Sequence, residues 1–164
     1  MNEVEKYFYA EKNFCLFGII FGFTCLLAAA YFLIKIKHPF FNGMAYPFVF
    51  LGGIFLAVCG SVYLRSSKDI SRVNTYVQTY TEGLKKEELP RMQRVLAGFK
   101  VIIGIEIALV ITSAFLVFMV RSNSFVKGIF TALLIFSPFL LLFDVLAKSR
   151  AKVYLEYLNI LTRN

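Results

Sequence analysis

The sequence predicts an all-α polytopic membrane protein with four transmembrane helices and a long cytoplasmic helical hairpin between spans two and three. Three observations predict this. Of the 164 residues, 59% are hydrophobic and 17% charged, with a mean hydropathy of +0.69. A soluble domain carries about 45–50% apolar and about 25% charged residues, so this chain lacks the polar surface to wet a globule. Its apolar residues also gather in four runs, 14–36, 46–64, 101–120 and 125–147, each near the roughly 20 residues a helix needs to cross about 30 Å of hydrocarbon. Finally, lipid offers the backbone no hydrogen bonds, so a spanning segment of this kind must be helical.

The first run follows a segment with Glu3, Glu5 and Glu11 against Lys6 and Lys12. That is not a basic leader, and the apolar run continues past Ala28-Ala29-Ala30 through Ile34, so the run reads as an uncleaved first span. His38 to Pro47 turns the first hairpin, with two prolines and a glycine as breakers. After the second span, residues 65–100 carry two apolar stripes. Ile70, Val73, Val77, Tyr80 and Leu84 repeat at three- and four-residue spacings; after a break near Gly83 to Pro90, so do Leu89, Met92, Leu96 and Phe99. Each stripe predicts a helical arm of about 18 residues, projecting roughly 27 Å. The arms are expected to pack on each other as an antiparallel hairpin, with docking of a partner chain or identical subunit as the alternative use of the stripe. Arg121 to Ser124 turns the second outer loop, and after the fourth span Ala147, Ala151, Tyr154, Leu158 and Leu161 extend the last helix as a tail over 148–164. The whole of 1–164 reads as one membrane domain.

Charge sets the orientation. The net charge is +8, and fourteen of the eighteen Lys and Arg lie in the N-terminal segment, the 65–100 segment and the tail. By the positive-inside rule these face the cytoplasm, with both termini. The positive charge therefore reports topology, and no basic-aromatic groove or finger spacing points to nucleic acid. Cys15, Cys25 and Cys59 form no C-x-x-C pair, and His38 is the single histidine, so neither a zinc set nor a thiol redox centre can be assembled. They read as small buried hydrophobes. No nucleotide loop, protease constellation or metal cluster is present, so no enzymatic activity, cofactor or metal is expected.

Three features of the spans stand out. Gly18-x-x-x-Gly22 in span one and Gly53-x-x-x-Ala57-x-x-x-Ser61 in span two are small-residue seams that let helix backbones approach in lipid. Pro138 in span four frees a carbonyl and is a hinge candidate. Glu106 and Asp144 are the acids well inside the spans, where a charge costs about 2.5–3.5 kcal/mol on insertion scales. Glu106 continues the stripe Phe99, Ile103, Val110, Ser113, and Asp144 the stripe Leu133, Ser137, Leu140, Ala147, so both are expected to face protein at similar depth. If they meet, one proton would be shared between them, the chemistry of a proton relay or cation site. The structural alternative bonds each acid to Ser, Thr or Tyr, or neutralises it with Lys100, Lys148 or Arg150.

Pro39-Phe40-Phe41-Asn42-Gly43-Met44-Ala45 through Gly60-Ser61-Val62-Tyr63-Leu64-Arg65, with Glu5-Lys6-Tyr7-Phe8, resembles small four-span bacterial inner-membrane proteins. The overall form, in size, span count and short outer loops, is similar to immunity proteins that protect a producer's inner membrane from membrane-targeting toxins. That resemblance implies a non-enzymatic bacterial inner-membrane binding protein, with the lipid bilayer and a protein toxin or partner membrane helix as its partners. The alternative from the residues themselves is a small ion or proton channel or transporter, a homo-oligomer, with Glu106 and Asp144 on its path.

Overall fold

The structure is a computed structural model that describes residues 3–79 and 81–163. Tyr80, expected on the first stripe, lies outside the described residues. The described chain is helical almost throughout: α1 (Glu3–Tyr31), widened at its end by a π-helical turn (Phe32–Ile36), α2 (Pro39–Thr79), the short α3 (Thr81–Gly83), a second π-helical turn (Leu84–Glu88), α4 (Leu89–Met119) and α5 (Ser124–Arg163). Four helices are long and apolar enough to cross a membrane, which makes this a multi-pass membrane protein. With 41 residues in α2 and 40 in α5, each helix is about 60 Å long, twice the hydrocarbon thickness. Half of each helix must therefore stand outside it.

The breaks are written locally. α1 ends where Lys37 takes a left-handed conformation, φ 48°, and Pro39 opens α2 because its missing N–H is one the first turn leaves unpaired anyway. His38 closes that turn, accepting from Asn42 N at its carbonyl (3.0 Å) and from Phe40 N at Nδ1 (3.3 Å). α4 ends at the extended Val120. Asn123 then caps α5, its Oδ1 accepting from Val126 N at 3.1 Å. α5 runs as one helix through Pro138, and α2 through Pro47, so the segment expected to turn over 38–47 is helical from Pro39 and the turn is confined to Lys37 and His38; beside Pro138 the buried Ser137 hydroxyl donates to the Leu133 carbonyl at 2.6 Å.

α1 lies along α2, α2 also along α5, and α5 along α4. α2 and α4 form no packed seam of their own. The spans share an aromatic layer: Phe21 stacks on Phe139 at 3.7 Å and meets Phe55 edge-on at 6.1 Å, while Phe14 stacks on Phe143 at 4.0 Å. Outward, Phe17, Leu64 and Phe118 stand 70%, 76% and 80% exposed, an apolar surface suited to lipid rather than water.

The second core lies at the end carrying both described termini, and it changes the reading of the 65–100 stripes. Val73, Leu84 and Met92 are fully buried, but in one cluster with Val4 and Phe8 of α1 and Ala151, Tyr154 and Leu158 of α5. The stripes are thus shared among four elements rather than closed on each other as a two-helix hairpin. Nor is Gly83 to Pro90 an irregular break: it is helical, with a π turn that carries Leu84 and Glu88 inward. The reason is geometric. α5 outlasts the membrane by several turns and, with the start of α1, supplies the apolar faces the arms need.

Candidate functional site

Because α4 packs on α5 but not on α2, the inner faces of α2, α4 and α5 leave a cleft, closed at one end by α1. It is a cavity of about 530 Å³. Ile54, Val58 and Val62 of α2 face Phe99 and Ile102 of α4 across it, and Phe143 and Asp144 of α5 form its floor. Glu11, Phe14 and Arg150 stand at the end nearer the termini. There the Arg150 guanidinium lies over the Phe14 ring, 3.9 Å from its centroid, a cation–π contact.

Glu106 and Asp144 are brought together in this cleft, near enough for each carboxyl to feel the other. The stripes explain why. In α4, Glu106 and Ser113 are buried while Ile105, Ile107 and Ile111 are exposed; in α5, Ser137 and Asp144 stand two turns apart on one face. Glu106 is only 8% exposed, and its Oε2 is buried without receiving a hydrogen bond. Among the described residues no Lys or Arg forms an ion pair with either acid, and no Ser, Thr or Tyr donates to them. The two intramolecular ways of neutralising the acids are therefore not used. Lys100 and Lys148 instead border a separate hollow with Lys152 and Glu156, and Arg150 is held by Phe14.

The glycine seams divide. A Cβ on Gly22 would lie 2.8 Å from Leu56 Cγ and 3.0 Å from the Gly52 carbonyl oxygen, and one on Gly52 would lie 3.2 Å from the Gly22 oxygen. A Cβ on Gly18 would lie 2.5 Å from Cys59 Sγ. Gly18 and Gly22 are thus a real seam, but their counterparts on α2 are Cys59 and Gly52, not Gly53, Ala57 and Ser61. Gly53 has nothing within 4 Å of its Cβ position, and Ala57 and Ser61 are exposed. One residue turns a helix by about 100°, so a face displaced by one position points away from α1. Gly22→Leu is expected to lower stability by about 2–3 kcal/mol by overpacking, and Gly53→Leu by almost nothing. Thermal melts in detergent followed by circular dichroism read the difference, and equal losses would contradict this seam.

Three arrangements had no herald in the reading of the residues. Cys15 and Cys59, 44 positions apart in α1 and α2, share one buried cluster in the cleft wall. Gly43 and Gly128 pack backbone to backbone at the opposite end. Glu88 is buried among Arg91, Arg72 and Tyr154. For Glu88 a signal existed: Leu84, Glu88 and Met92 are spaced four apart, so a helix continued backwards from Met92 puts the acid on the apolar stripe. Compared with known proteins, the chain matches no family model, no curated protein and no solved structure.

Proposed function

We propose that the chain is a non-enzymatic membrane binding protein that receives a membrane-embedded guest in the cleft between α2 and α4. Its role on this reading is that of an immunity protein, which neutralises a membrane-targeting toxin by helix contacts in the bilayer. One observation carries it: the cleft is open sideways, with Ile54, Val58 and Ile102 on its two walls 48%, 55% and 45% exposed. Helices associate in lipid through van der Waals packing, so two long helices held apart by a third offer contact surface to a guest of the same kind. The bacterial inner membrane is the proposed setting. Both termini and the 65–100 segment face the cytoplasm, as the uneven Lys and Arg distribution directs.

Bacteria producing the chain are expected to survive pore-forming toxins that kill the same cells without it. Filling the cleft with Ile54→Trp and Val58→Trp should abolish survival, and Phe118→Trp, on the lipid-facing side, should not. Protection that persists in the filled cleft would move the guest elsewhere, and no protection from any toxin tried would remove the immunity role.

A second reading has its own support in the acid pair, whose carboxyls meet without a basic partner: a small oligomeric ion or proton channel or transporter. Proton and cation flux into proteoliposomes that disappears in Glu106→Gln or Asp144→Asn would favour it over immunity. No flux from folded wild-type protein would leave binding as the account.

A further inference from the structure

The cleft carries a charge pattern that specifies more than an apolar guest. Glu106 is more than nine-tenths buried, its Oε2 receives no hydrogen bond, and Asp144 stands beside it. A buried carboxyl without a donor is costly, and the chain's own cations leave it unsatisfied. The cation at the cleft is Arg150, and it is engaged face-on by Phe14 at 3.9 Å. Glu11 adds a third carboxyl at the same end. The remaining wall is apolar and aromatic, with Phe55, Phe99 and Phe143 among the lining residues.

These features discriminate between cations. A hard divalent ion needs about six oxygen ligands to replace its water, and the described residues gather no group of three His, Cys, Asp or Glu side chains that could hold a metal. An organic cation needs the reverse: one or two carboxyls for its charge, ring faces for its rim, and apolar walls for its body. The volume, about 530 Å³, falls within the roughly 300–1,000 Å³ of small-molecule pockets. The sideways opening between α2 and α4 admits a molecule already dissolved in lipid.

From this juxtaposition of the buried Glu106 carboxyl, with half-buried Asp144 beside it and no cation paired to either, aromatic walls and lateral access we infer that the cleft binds a lipophilic organic cation, a single positive charge on an apolar body. The inference rests on the reading of the cleft as the guest's site. It assigns the charge to Glu106 and Asp144 and the body to the α2 and α4 walls.

Tetraphenylphosphonium and its neutral relative triphenylphosphine oxide test it, by equilibrium dialysis against the full chain in nanodiscs of zwitterionic lipid, with empty nanodiscs as blank. The cation is expected to bind at least about tenfold more tightly than the neutral compound, as follows when a buried charge gains its partner. Glu106→Gln and Asp144→Asn should each erase that preference, and Glu106→Asp should retain it. Circular dichroism melts identify any variant that has not folded. Equal binding of the two compounds, blocked by Ile54→Trp, would overturn the charge assignment and leave the cleft as the site. A preference that survives both neutral variants would overturn it too. No binding of either compound to folded protein would overturn the inference and the reading of the cleft together.

Discussion

Gly43→Ala and Gly128→Ala are each expected to destabilise the bundle by about 2–3 kcal/mol, against the roughly 1 kcal/mol of helix stabilisation that the same change brings at an unconstrained position. The two glycines face each other where α2 and α5 cross. A Cβ on Gly43 would strike the Phe125 carbonyl oxygen and lie 2.9 Å from its carbon, and one on Gly128 would do the same to Phe40. Both obstacles are helix backbone, which has no rotamer by which to move aside. The helices would have to separate, and lipid supplies no hydrophobic drive to hold them at the new distance. Gly104, with nothing within 4 Å of its Cβ position, is the control: Gly104→Ala should be neutral or stabilising. The double variant Gly43→Ala/Gly128→Ala should cost less than the two single changes together, because the first already opens the crossing. Melting temperatures in one detergent decide all four cases, and a stabilised Gly43→Ala or Gly128→Ala would mean the helices do not cross here.

Glu88→Ala is expected to remove about 3 kcal/mol, the cost of leaving a partly buried cation without its partner. Glu88 is 1% exposed and accepts from Arg91 twice, Nη2 at 2.6 Å and Nε at 2.9 Å, in a bidentate pair. Tyr154 Oη donates to it at 3.2 Å and Arg72 Nη2 at 3.4 Å. Burial and the neighbouring Glu88 carboxylate push the Tyr154 phenol well above its ordinary pKa, so it stays a donor across the physiological range. The same residue ties this network to the rest of the core, stacking on Tyr7 at 4.3 Å and 5°. Glu88→Ala therefore loosens α1, α2, α4 and α5 at one point. Glu88→Leu combined with Arg91→Leu should recover most of the loss, since a buried ion pair can be replaced by apolar side chains that pack. Denaturation of the two variants beside the wild type measures this; a double variant no more stable than Glu88→Ala would show that the pair's geometry, rather than its unpaired remainder, sets the cost.

The four long helices were legible because helix existence is a local property, whereas residues 39–47 and 83–90, read as a turn and a break from their prolines and glycines, are helical. Length and apolar content define the spans, and Pro39 and Asn123 stand at helix starts for reasons within a turn of themselves. The inward faces of Glu106 and Asp144 were legible as well, since a stripe at three- and four-residue spacing says which side of a helix meets protein. That the two faces meet each other, however, depends on how α4 is rotated as it packs along α5. The 65–100 stripes show the same limit: Val73 and Met92 were readable as buried, but not as buried against Phe8 and Leu158 from the two ends of the chain.

Sequence alone thus determined the fold class, the number of spans and the inward side of α4 and α5 at the two acids, because hydropathy and periodicity are written in contiguous residues. Only the tertiary structure decided that Gly52 rather than Gly53 meets Gly22, that Gly43 and Gly128 lie at one helix crossing, and that Glu106 and Asp144 share a cleft whose cation, Arg150, pairs with neither. These outcomes depend on helix order and rotation, and in lipid those are set by small differences in packing between surfaces of nearly equal hydrophobicity.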